Sequence, residues 1–187
     1  EITTRLVGSE MCIRDSPGPF AWENGPIEMG QNMILLTGII WSIYHYTQET
    51  HLHRPSYWLF AASFFLLLFG REISWGRIFL LKEMTETGPV FWSMKDLPYH
   101  RVIDGAIGLL SAAVIHLFYQ SVNVQKTLHC LKKNRLMFLL TVLAAILALM
   151  GDKGQLFHDF RDETMEELSE LFVYLQVFFF IHQYRIA

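Results

Sequence analysis

From residue 17 onward the chain alternates apolar runs with polar breaks, and five of those runs are of helical length. Met29 to Gln48 holds no charged side chain and is long enough to cross a hydrocarbon core about 30 Å thick. A second run opens near Ser56 and stays uncharged only as far as Gly70. That stretch covers roughly 22 Å at 1.5 Å per residue, so the helix must continue through Arg71 and Glu72 to reach the far side. The third run is Gly105 to Gln125, the fourth about Leu136 to Gly151 and the fifth Leu171 to Tyr184. The last covers roughly 21 Å and needs Glu167 and Glu170 at or inside the interface. The pattern predicts a single all-α domain over residues 17–187, an integral membrane helical bundle with about five transmembrane helices.

The breaks between the runs carry their own signals. Lys82 to Arg101, with Gly88, Pro89 and Pro98, reads as a loop with an interfacial turn around Val90 to Met94. Pro55 suits the first turn of the second helix, and His51 and His53 just before it read as a solvated loop pair. Lys126, Lys132, Lys133 and Arg135 form the densest basic cluster, read as the loop into the fourth helix. Two helix faces are lined by small residues, which permit close helix approach in lipid: Gly105, Gly108, Ser111 and Ala112 after Asp104, and Thr141, Ala145 and Ala148 before Asp152.

Composition sharpens this picture. A chain that is 52% hydrophobic with mean hydropathy +0.27 is more apolar than an ordinary soluble domain of its size. The net charge of −3, with no basic stripe, excludes nucleic acid as a partner. Cys12 and Cys130, the two cysteines, give neither a disulfide framework nor a metal knuckle. Residues 1–16 share neither the periodicity nor the aromatic density of the rest. They resemble translated sequencing-adaptor read-through and are expected to stand outside the fold, as an artefact or a disordered tail.

Successive helices alternate direction, so the start of the first, the end of the second, the start of the third, the end of the fourth and the start of the fifth share one side. Glu28, Glu72, Arg77, Asp104, Asp152, His158, Glu163, Glu167 and Glu170 therefore converge on one leaflet as a candidate binding site, with Glu23 and His100 nearby. Ionisable groups at membrane depth are costly, which makes them functional-site candidates. The basic cluster on the opposite side is expected to be cytoplasmic, so the site faces outward from a bacterial inner membrane. Glu163, Glu167 and Glu170 recur with Tyr174 at helical spacing and can share one face. The alternative for them is a capping box of Thr164 with Glu167. Glu72 with Arg71 or Arg77 can equally be an ion pair that fixes packing.

No G-x-S-x-G, H-E-x-x-H, E-x-x-H pair or phosphate-cradling glycine loop occurs. Three functions remain open. The first is binding of a cation, a proton or a polar lipid group without covalent chemistry. The second is a divalent-metal-dependent hydrolase of a lipid-like substrate, with His158, Glu72, Asp104 and Glu170 as metal ligands or acid/base groups. The third is a structural membrane subunit.

The string EISWG at Glu72 to Gly76, the acids Glu23 and Glu28 ahead of the first helix and DETMEELSEL entering the last one together resemble a family of small, uncharacterised bacterial multi-pass membrane proteins. The corresponding strings there are E-E-I-S-W-G-Q and E-E-x-x-E. Arg71 stands here in place of the first acid and Arg77 in place of the glutamine. The resemblance implies a multi-pass bundle and no particular activity. A fainter likeness is to ceramidase-like membrane hydrolases, which set His and Asp groups for zinc at one membrane face. Their seven spans and last-helix histidine pair are not seen in this sequence.

Overall fold

The computed structural model describes residues 26–49, 55–85, 88–97, 99–152 and 160–186. The fold is all-α. Helix α1 spans Pro26–Glu49 and α2 spans Pro55–Glu72. After a 3₁₀ segment (Ser74–Phe79), strands β1 (Leu81–Thr85) and β2 (Gly88–Phe91) and a short 3₁₀ turn (Met94–Asp96) come α3 (His100–Ser121), α4 (Val124–Lys133), α5 (Arg135–Asp152) and α6 (Phe160–Ile186). Pro26 and Pro55 open their helices, where a missing N–H costs nothing and φ is already helical. As the length argument requires, α2 runs unbroken through Arg71 and Glu72. The polar segment ahead of the fifth apolar run is likewise helical from Phe160, so α6 is a single helix of 27 residues.

Helices α1 and α2 pack along one another, α6 lies against α1, and α3 and α5 flank the group on α2 and α6 respectively. The core of this group is aromatic: Tyr57, Trp58, Phe65, Tyr174 and Tyr184 with Leu35, Ala61 and Ile181. At Gly38 α1 comes close to α2, and a β-carbon there would stand 2.8 Å from the Phe65 ring. Away from the polar end, His45 stacks on Trp58 with ring centroids 4.5 Å apart, and Trp41 meets His45 and His182 edge-on. Tyr57 donates its hydroxyl proton to the Ile181 carbonyl at 2.7 Å, and the Asn123 N–H donates to the Tyr184 hydroxyl at 2.8 Å. These bonds tie the end of α6 to α2 and to the start of α4.

Three parts differ from the sequence expectation. The segment after Lys82 is not only a loop: β1 and β2 pair antiparallel, Leu81 with Phe91 and Thr85 with Gly88, with an irregularity between Leu81 and Glu83. Pro89 is tolerated because both strands of so small a sheet are edges. The basic cluster is not a loop either. Asn123 caps α4 by accepting from the N–H groups of Gln125 and Lys126, and α4 meets α5 at 93° across Asn134. Finally, α3 packs through its large aliphatic stripe, with Val114 buried and Ile103, Ile107, Leu110 and Leu117 half-buried. The small-residue face of α3 is turned outward, and β-carbons at Gly105 and Gly108 would meet nothing within 4 Å. The corresponding face on α5 does pack, with Ala144 and Ala148 buried.

Among the described residues one helix, α3, is long and apolar enough to cross a membrane, and the bent pair α4–α5 makes a second if counted as one span. The 24 residues of α1 and the 18 of α2 correspond to about 36 and 27 Å of helix.

The Gly38–Phe65 contact is testable. Gly38→Ala is expected to destabilise by about 1–3 kcal/mol, the usual cost of overpacking. Phe65→Leu in the same chain should recover part of that loss in a double-mutant cycle read by thermal unfolding in mild detergent. Additive effects would show that the two helices are not in contact there.

Candidate functional site

The site is built where the start of α1, the end of α2 and the first half of α6 meet. On α1, Glu28 and Gln31 are three residues apart and share one face. Gln31 is 0% exposed and Glu28 is buried. The Gln31 amide nitrogen donates to Glu167 twice, to its carboxylate at 2.7 Å and to its backbone carbonyl at 2.8 Å. Two acceptors on the nitrogen fix the orientation of the amide. Its oxygen, Oε1, is thereby left buried without a hydrogen-bond donor.

One and two turns further along α6, Glu170 and Tyr174 face the end of α2. Tyr174 donates its hydroxyl proton to the Glu72 carboxylate at 2.5 Å. Arg71 forms an ion pair and hydrogen bond with Glu170, and its Nε lies 3.6 Å from the same Glu72 oxygen. The Glu72 side chain is only 7% exposed whereas that of Arg71 is 61% exposed. The stem of Arg71 therefore reaches over the carboxylates from outside while the acids lie beneath it, as a long amphipathic side chain allows. Glu28, Glu72 and Glu170 all act electrostatically on Glu167, so the two halves of the site form one charged cluster.

The chain ends this layer with a tight turn. Ser74 and Trp75 have φ of 45° and 52° and Gly76 has φ of 91°. Left-handed backbone is costly for residues with a β-carbon and free for glycine. The Trp75 ring folds back on Gly70, where a β-carbon would lie 2.6 Å from it. The EISWG string is thus a helix stop: Glu72 closes α2, Ile73 donates its N–H to the Phe69 carbonyl, and the next three residues reverse the chain toward β1.

Of the residues singled out in the sequence, the structure gathers Glu28, Glu72, Glu167 and Glu170. Arg77 is half-buried in the turn just beyond Glu72. Asp104 is exposed near the start of α3. Asp152 closes α5 and Glu163 lies in α6, with their side chains outside the described residues, as is the whole of His158 together with residues 1–16, Glu23, His51 and His53. Among the described residues no three His, Cys, Asp or Glu side chains are gathered to hold a metal ion. The capping-box alternative does not hold, because α6 begins at Phe160 and Thr164 is inside it, while Glu167 is engaged by Gln31 from another helix. Gln31 is the functional candidate that acid counting passes over. Its spacing from Glu28 on one helical face is the signal that marks it.

No protein-family model matches the chain, and searches of curated proteins and of solved structures return no match.

The exposures set an order of effects. Tyr174→Phe leaves the buried Glu72 carboxylate without its donor and is expected to cost about 1–3 kcal/mol. Arg71→Met removes a largely exposed partner and should cost at most about 1 kcal/mol. Unfolding of the two variants in detergent checks this, and the reverse order would place Arg71 rather than Tyr174 as the main support of Glu72.

Proposed function

We propose that this chain is a multi-pass membrane protein whose carboxylate cluster binds a small cation, with protons competing for the same oxygens. In this reading α1, α2, α3, α5 and α6 are the five spans, and the site lies in the outer leaflet of a bacterial inner membrane. The likeness to small bacterial multi-pass proteins carried by EISWG and the Glu-rich entry to α6 fits it, although no activity comes with that likeness.

Support for the membrane comes from where polarity sits. Gln31, Ser42, Glu28 and Ser169 are buried, whereas Met33, Ile40, Leu109, Ile115, Leu139 and Ile146 lie on the outside. So broad an apolar exterior around an interior that also buries polar groups is disfavoured in water and accommodated by a hydrocarbon solvent.

The observation that carries the cation is the Gln31 carbonyl oxygen, buried without a donor beside an excess of acids. Glu28, Glu72, Glu167 and Glu170 outnumber Arg71 and Arg77 even if both arginines are counted against them. Like charges sharing a buried site cannot all stay ionised without a compensating cation or proton. No three of these acids stand close enough to ligate an ion by themselves, so the cation would be met by the Gln31 oxygen with at most two carboxylates, an all-oxygen set of the kind that suits a hard cation. The Arg71–Glu170 pair and the Tyr174–Glu72 bond hold the helices around it, so a packing role for these groups accompanies binding.

Two measurements test the reading. Alkaline carbonate should leave the protein in the membrane pellet, and its release to the supernatant would remove the membrane premise. In detergent at constant ionic strength, Na⁺, K⁺, Mg²⁺ and Ca²⁺ are each compared with choline by thermal unfolding. At least one should stabilise the wild type, by about 2.7 kcal/mol at a hundred times its dissociation constant. Gln31→Leu and Glu167→Gln should each abolish that increment. Equal unfolding in all five salts would refute cation binding.

A further inference from the structure

At the end of the bundle away from the carboxylates there is a cavity of about 310 Å³ between α2, α3, α5 and α6, with α4 across its mouth. Its wall is apolar and aromatic, with Phe60, Phe64, Phe118, Phe138, Val177 and Phe180 among the lining residues. Polar side chains join the lining at the α4 end, Thr127, Asn134 and Gln183, and further along the wall, Thr141 and Gln176. The volume falls at the lower limit of ligand pockets, suited to a segment of one hydrocarbon chain rather than to a whole lipid.

The rim is basic. Lys126 places its Nζ 4.9 Å from the centre of the Tyr184 ring, and Tyr184 lines the cavity. Lys132 and Lys133 occupy the last turn of α4, and Arg135 opens α5 immediately after the bend. No aspartate or glutamate occurs between Val122 and Gly151, so nothing acidic on α4 or α5 offsets these charges before Asp152. A short helix with a basic polar face, set at 93° to the helix that follows, has the form of an interfacial helix that attracts anionic headgroups.

We propose that this cavity and rim form a binding site for an anionic phospholipid, with one acyl chain inserted among the phenylalanines and the phosphate held by Lys126 and the basic end of α4. The site rests on the membrane reading above but is independent of the cation cluster, which lies at the other end of the same helices. Charge complementarity selects the lipid: the wall accepts any hydrocarbon chain, and the rim discriminates between headgroups.

The test uses the delipidated protein in detergent, titrated with phosphatidylglycerol or with phosphatidylcholine of identical chains and followed by native mass spectrometry and thermal unfolding. Phosphatidylglycerol should bind at least tenfold more tightly. The combined variant Lys126→Gln, Lys132→Gln, Lys133→Gln should bring the two lipids to parity. Thr141→Phe, which fills the cavity from α5, should lose both lipids while unfolding at the same temperature as lipid-free wild type. If that variant unfolds early, Met137→Phe on the same wall replaces it. Equal affinity for the two lipids, stabilisation by inorganic phosphate matching that by phosphatidylglycerol, or undiminished binding in the filled cavity would each overturn the proposal. A protein that needs no detergent to stay in solution would instead overturn the membrane reading, and lipid selectivity with no cation response would leave this site standing alone.

Discussion

A wholly buried glutamine that gives both of its amide hydrogen bonds to one glutamate fixes how α1 and α6 face each other. A lost partner is expensive in such surroundings, because a desolvated donor or acceptor retains its full penalty. The bond therefore constrains rotation and register between the two helices. Tyr174 and Arg71 do the same between α6 and α2. Around this polar seam the aromatic core fills the space, with Gly38 permitting close contact with the Phe65 ring. Both ends of α6 are consequently held by directional bonds, through the seam at one end and through Tyr57 and Tyr184 at the other.

Much of this was legible in the chain itself. Helix lengths required α2 to include Glu72, and the spacing of Glu167, Glu170 and Tyr174 announced a shared face. Other features turn on quantities that hydropathy does not encode. Which residue on α1 would meet Glu167 depends on the rotation of both helices, so the pairing with Gln31 could not be read from spacing. On α3 the large aliphatic stripe and the small-residue face are both compatible with a helix in an apolar setting, and packing chose the stripe. The basic stretch after Asn123 read as a loop because its charges outweighed a pattern only three turns long, although its asparagine was a ready cap. The hairpin was hidden by two short strands containing a proline and a glycine.

The two ends of the bundle differ in chemistry although the same helices make both. At one end acids are crowded inside and screened from above by an arginine. At the other, hydrocarbon lines the interior and the charges are basic and peripheral. In the proposed reading, a single bundle would offer a carboxylate cluster to one leaflet and a lipid-binding cavity to the other. Occupancy of either would bear on the packing of α6, since that helix contributes side chains to both.

The Trp75 ring lies on Gly70 within a left-handed turn, and this has a consequence for how the sequence can vary. Any side chain at position 70 would displace the indole. Changes at the two positions are therefore not independent: a drift away from glycine at 70 is compatible with the fold only alongside a smaller residue at 75. Ser74 and Trp75 sit in a conformation they intrinsically disfavour, so the close fit of the indole against position 70 helps to hold the turn that follows Glu72.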